Sequence, residues 1–129
     1  MTKKESERQA VQALGELIAL HKFSFRGEKE LQDGVEQLLK EHGLKYEREV
    51  RLSRSDIVDF VVNFDQGKIA LELKVDGNRN ALLRQMSRYL THEDIDCIFV
   101  VGTPYWVMNL PQTLHEKDVY CYRILAGIF

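Results

Sequence analysis

The stretch 55–75, SDIVDFVVNFDQGKIALELKV, limits the fold more than any other part of the chain. Two runs rich in Ile, Val, Leu and Phe, IVDFVVNF and KIALELKV, are joined by the turn residues Asp65, Gln66 and Gly67, which predicts a β-hairpin. Charges sit inside both runs. Side chains alternate along a strand, so Glu72 and Lys74 share one face with Ala70, while Leu71 and Leu73 point to the other. On the first strand Asp59 shares a face with Ile57, Val61 and Asn63. Strands that otherwise want apolar residues need a reason to carry such charges, because unpaired charge is costly to bury.

Around the hairpin, Ala10, Val11, Leu14, Leu17, Ile18 and Leu20 recur at helical spacing and predict a helix over 7–20, broken by FSFRG. A second helix over 28–42 places Leu31, Val35, Leu38 and Leu39 on one face and closes at Gly43. YEREV alternates as a strand. After the hairpin come a third helix over 79–90 and the strand CIFVV, whose unbroken apolar run fits a strand covered on both faces. The segment TPYWVMNLPQTL holds both prolines and fits no single element; Tyr105 and Trp106 read as a packed aromatic corner, with base stacking as the alternative. DVYCYRIL predicts a last strand. The order α-α-β-β-β-α-β-β specifies an α/β chain with a mixed central sheet of four to five strands flanked by helices. It reads as one domain over 1–129, with an N-terminal helix (1–21), a core (28–102) and a C-terminal segment (103–129).

Composition narrows the function. With 129 residues, 44% hydrophobic and 29% charged, the chain can bury one core and is not disordered. The first residues lack the apolar stretch of a secretory signal and no run approaches the ~20 apolar residues of a membrane span, which predicts a cytoplasmic protein without membrane contact. Cys97 and Cys121 lie in apolar runs without ligand spacing and read as buried, reduced thiols; His21, His42, His92 and His115 are scattered. A net charge of -2 excludes a uniformly basic surface, so a nucleic-acid partner has to be held by local charge. Such a region exists between positions 74 and 88, where Lys74, Arg79, Arg84 and Arg88 face only Asp76.

Two carboxylates and an ammonium on one face make a hard-oxygen site for a divalent ion beside a positive charge, suited to Mg2+ and a scissile phosphate. From spacing alone, an ordinary solvent-facing Glu/Lys ladder is the other reading. The wider pattern resembles the PD-(D/E)xK nuclease superfamily, the restriction-endonuclease-like group that includes type II restriction enzymes, archaeal Holliday-junction resolvases and RecB-like nucleases. Its elements occur in order over about 28–102: Glu28 on a helix, Asp59 on one strand, Glu72-Leu73-Lys74 on the next, then QMSRY from Gln85 to Tyr89. QMSRY looks like the QxxxY motif of the RecB-like and lambda-exonuclease-like branch. Val58 stands where a proline often precedes the aspartate, and Asp56 competes with Asp59, which is preferred because it lies inside the strand. At roughly 100° per residue, Glu28 falls on the face of Leu31, Val35 and Leu39, whereas its competitor Glu30 falls with Gly34 and Glu41.

The resemblance implies a restriction-endonuclease-like core and a DNA endonuclease that uses Mg2+ or Mn2+ to hydrolyse phosphodiesters, leaving 5'-phosphates. Asp59, Glu72, the main-chain carbonyl of Leu73 and Glu28 are the implied metal ligands. Lys74 would orient the attacking water and Gln85 would help place the strand or the nucleophile. Arg79, Arg84, Gln85, Arg88 and Tyr89 are the expected nucleic-acid contacts, the alternative being a solvated helix surface with Tyr89 covering core. A chain of this size without an appended DNA-reading domain points to recognition of a junction, flap or nick rather than of sequence. A homodimer fits that reading, with the first helix either covering the sheet or forming the subunit contact, at work in the cytoplasm, of the host if the source is viral. The alternative is a catalytically silent nucleic-acid-binding module on the same fold.

Overall fold

The computed structural model describes residues 1–125; positions 126–129 of the expected C-terminal segment lie outside the described residues. Helix α1 (Lys3–Leu20) starts earlier than its apolar periodicity, because Thr2 caps it by accepting a hydrogen bond from the Glu5 N–H. Its first turn is held by that cap and by the burial of Ser6. Helix α2 (Glu28–Glu41) buries Leu31, Val35, Leu38 and Leu39 and ends where Gly43 takes a left-handed φ of 67°. Three strands follow, β1 (Tyr46–Arg51), β2 (Ile57–Phe64) and β3 (Gly67–Lys74), then α3 (Arg79–Tyr89), capped by Asn78, and β4 (Cys97–Gly102).

The ambiguous proline-containing segment divides into a short 3-10 helix, Tyr105–Asn109, and a two-residue strand β5 (Thr113–Leu114), which turns back into β6 (Lys117–Arg123). Among the described residues the sheet therefore has six strands, in the order β1-β2-β3-β4-β6-β5, and not four to five. The extra strand escapes sequence reading because its turn residues, His115 and Glu116, adopt φ of 52° and 64° without the Gly or Asn that normally announces such a turn. β1, β2 and β3 are antiparallel neighbours, and β4 runs parallel to both β3 and β6, with α3 as the crossover between β3 and β4.

Each face of the sheet has its own core. On one, α1 and α2 pack Val11, Leu14, Ile18, Leu31, Val35 and Leu39 against Phe60, Leu71, Leu73 and Phe99. On the other, Leu82 and Met86 of α3, with Val107 of the 3-10 helix, pack against Val61, Ala70, Ile98 and Val100. β4 is buried throughout, as its composition requires. Helix α1 covers the sheet, fastened by the buried carboxylate of Glu7, which accepts from the Tyr120 hydroxyl at 2.8 Å and pairs with Lys4 at 3.2 Å. Cys97 is a buried free thiol and Cys121 a half-buried one. Among the described residues no helix is long and apolar enough to cross a membrane.

Candidate active site

β2 and β3 pair regularly from Phe64 opposite Gly67 back to Phe60 opposite Leu71, and there the ladder stops. Beyond that point carboxylates replace strand carbonyls as acceptors. The Leu73 N–H donates to Asp59 Oδ2 at 2.8 Å, and the Asp59 N–H donates to Glu72 Oε1 at 3.2 Å. Glu28, the first residue of α2, accepts from the Val75 N–H at 3.1 Å. The backbone is irregular on the other side of Asp59 as well. β1 pairs Arg48 with Phe60 and Val50 with Val58, so Glu49 stands at the position facing Asp59, with a φ of 54° that L side chains rarely adopt. Because buried N–H groups must be paired, opening the ladder here draws three acidic side chains to one end of β3.

Lys74 follows Glu72 by two residues and brings its ammonium to 3.9 Å from Glu72 Oε2. The end of β4 fixes that part of β3. The Thr103 N–H donates to the Lys74 carbonyl at 3.0 Å, and the Thr103 hydroxyl donates to the Val75 carbonyl at 2.8 Å. Gly102 allows this approach, since a Cβ there would collide with the Lys74 carbonyl oxygen.

Glu72 is only 3% exposed. Burial, followed by the negative charge of Asp59, pushes its carboxyl up to about 8. Asp59 is raised to about 6 by burial and by Glu28, against the opposing pull of the Leu73 N–H and Lys74. Two acids so close and so poorly solvated titrate as a pair and retain a proton near neutrality unless positive charge is supplied. Among the described residues no group of three or more His, Cys, Asp or Glu side chains forms a ready metal cage. Glu28, Asp59 and Glu72 each accept from a backbone N–H with one oxygen. The second oxygen of Glu72 lies 3.9 Å from the Lys74 ammonium, and the donors at this end of the hairpin are hard carboxylate oxygens, the kind that Mg2+ and Mn2+ take.

The competing acids stand elsewhere. Asp56 is buried, accepting from Arg88 Nε at 2.7 Å and the Ser53 hydroxyl at 2.9 Å, with His92 Nε2 at 4.0 Å. The Arg88 guanidinium holds its carboxyl below the usual aspartate range. This ion pair ties the β1–β2 loop to α3. Glu30 is exposed and accepts from the Arg26 N–H at the start of its own helix. Comparisons with known protein families, curated proteins and solved structures gave no match.

Helix α3 treats its five expected contact residues differently. Arg84 is exposed and Gln85 half-buried. Arg79 donates through Nε to the Asn109 carbonyl at 2.9 Å, and Arg88 is shared with Asp56. Tyr89 corrects the expectation of a nucleic-acid contact: it is 1% exposed and its hydroxyl donates to the Ile57 carbonyl at 2.8 Å, so it packs under β2 and no strand lying on the surface reaches it. Arg48, read from the sequence only as part of an alternating strand, has a larger part in placing the site. Its Nη1 donates to Asp33 and Glu36 at 2.8 and 3.0 Å, its Nη2 donates to Gln32, and its guanidinium lies 5.7 Å from the Phe60 ring centre. That clamp joins β1 to α2, the helix that starts at Glu28.

Proposed function

We propose that this chain is a Mg2+- or Mn2+-dependent DNA endonuclease of the PD-(D/E)xK kind, built on a restriction-endonuclease-like core and selecting DNA by structure rather than by sequence. The observation that carries this reading is the opened end of the β2–β3 ladder, where Glu28, Asp59 and Glu72 collect beside Lys74. A hairpin with a purely structural part gains nothing from acids whose burial and repulsion disfavour their charged forms.

Asp59, Glu72 and the main-chain carbonyl of Leu73 would hold the cation, with Glu28 completing the set. When bound, the ion supplies positive charge against a phosphate oxygen and lowers the pKa of an attacking water. Lys74, fixed through its carbonyl by Thr103, holds an ammonium where negative charge develops on the phosphoryl group. Gln85 lies one helical turn before Tyr89 on the flank of α3 and helps place the strand or the nucleophile. Arg79, Arg84 and Arg88 offer positive charge to the backbone, which fixes position without reading bases. Cutting both strands of a junction requires two such sites, hence a homodimer, and the cytoplasm as the place of action.

The test is cleavage of labelled single-stranded, duplex, flap and four-way-junction DNA with Mg2+ or Mn2+, beside Lys74→Ala and Glu72→Ala. Cutting by the unaltered protein that disappears in both variants is the expected result. Binding without cutting of any substrate would replace the enzyme with a silent nucleic-acid-binding module.

A further inference from the structure

The 3-10 helix Tyr105–Asn109 turns two large side chains to solvent, Tyr105 at 71% and Met108 at 56% exposure. With three residues per turn, positions three apart share a face. Tyr105 and Met108 therefore lie together, while Val107 is fully buried in the α3-side core and Trp106 and Leu110 pack against it. The element is anchored at both ends. Before it, Thr103 is bonded to the carbonyls of Lys74 and Val75, and Pro104 leads directly into Tyr105. After it, the Asn109 carbonyl accepts from Arg79 Nε. An exposed aromatic and a methionine on a rigid element cost solvation without adding to the core, and this pair starts two residues beyond the one that fixes Lys74.

We propose that Tyr105 and Met108 form a stacking platform for an unpaired nucleobase next to the phosphate held at Lys74, so that the preferred substrate carries single-stranded DNA at the cut. This deepens the nuclease reading and rests on it. Paired bases inside a duplex cover one another's faces, and only an unpaired base offers one to a tyrosine ring. Methionine adapts its shape to such a partner. Arg79 spends Nε on Asn109, and its two terminal nitrogens, without a partner among the described residues, are left for the adjoining phosphate, which gives the platform a cation at its far end. The continuity with Lys74 and the adjacent guanidinium select a nucleotide over a second copy of this chain as the occupant.

The experiment measures binding, with Ca2+ in place of Mg2+, of flap DNA carrying 2-aminopurine beside the branch and of the matching perfect duplex. The unaltered protein, Tyr105→Ala, Tyr105→Phe and Met108→Ala are compared. Stacking predicts quenched 2-aminopurine fluorescence with the unaltered protein and with Tyr105→Phe. It predicts about 5- to 150-fold weaker flap binding by Tyr105→Ala, at unchanged duplex affinity, and a smaller loss for Met108→Ala. Flap affinity and quenching preserved in Tyr105→Ala, or an equal loss for flap and duplex, would overturn the platform and leave the nuclease intact. A change in sedimentation of Tyr105→Ala with flap affinity unaltered would overturn it in favour of a contact between copies. Failure of the unaltered protein to bind or cut any DNA would remove the nuclease reading itself, and the platform with it.

Discussion

Asp56 and Asp59 lie three residues apart at the start of one strand, and their surroundings push their carboxyls in opposite directions. Asp56 is matched by a guanidinium and a hydroxyl, which hold it ionised. Asp59 faces Glu72 and Glu28 with little water, and its proton is favoured. The two therefore affect stability at opposite ends of the pH scale. For the Asp59–Glu72 pair the folded values, about 6 and about 8, lie above the unfolded ones near ~4. The protonated forms are favoured by folding, so this stabilisation is fully present below the unfolded values and is lost as pH rises through 6 to 8. In chelator-treated protein, the melting temperature is expected to fall between roughly pH 5 and 8.5. Glu72→Gln, which cannot ionise, should flatten that fall, and Mg2+ should offset it in the unaltered protein but not in the variant. Parallel pH profiles for the two proteins would show that Glu72 is not the group concerned.

At the scale of elements, the site depends on how the ends of two parallel strands meet. β4 closes on β3 at Gly102, and any Cβ at that position would push against the Lys74 carbonyl. Gly102→Ala should cost about 1–3 kcal/mol of stability by overpacking, read from the urea midpoint. Because the strain falls on Lys74 itself, cleavage measured well below the melting temperature should drop further than the stability loss explains. Full activity in a destabilised variant would show that the end of β4 does not set Lys74. The sequence made the central hairpin, the helices and β4 legible, since alternation and helical spacing are local patterns. It also singled out Glu28, Asp59 and Glu72, each of which accepts from a backbone N–H at this end of the hairpin. It concealed whatever depends on distant partners: Arg48 clamps residues 12 to 16 positions away, and β5 exists only through its pairing with β6. For Tyr89 the sequence left open whether it covers core or touches nucleic acid, and in the structure it is buried. Leu82, Met86 and Tyr89 follow one another at i, i+4 and i+7, which is the buried stripe itself, whereas the motif drew attention to a surface role.

Over the whole molecule, a net charge of -2 conceals an uneven distribution. Exposed Arg84 and Arg88 lie on α3, and exposed Arg51 and Arg54 flank the β1–β2 loop that the Asp56–Arg88 pair holds against α3. Helix α1 packs on the opposite face of the sheet, and its charges there are engaged in part by acids, as in the Lys3–Asp96 and Lys4–Asp118 pairs at 2.8 and 3.3 Å. An acidic protein that binds DNA through one such face should show a modest salt dependence, because few phosphates are neutralised. Each neutralised phosphate of a single strand contributes roughly -0.7 to the slope of log affinity against log salt, so about three contacts give a slope near -2. Removing Arg84 by Arg84→Ala should make the slope shallower by about 0.7, whereas Arg8→Ala, an exposed substitution on α1, should leave it unchanged. Equal effects of the two substitutions would mean that DNA is held by diffuse charge, and the α3 face would lose its claim as the side from which a strand reaches Lys74.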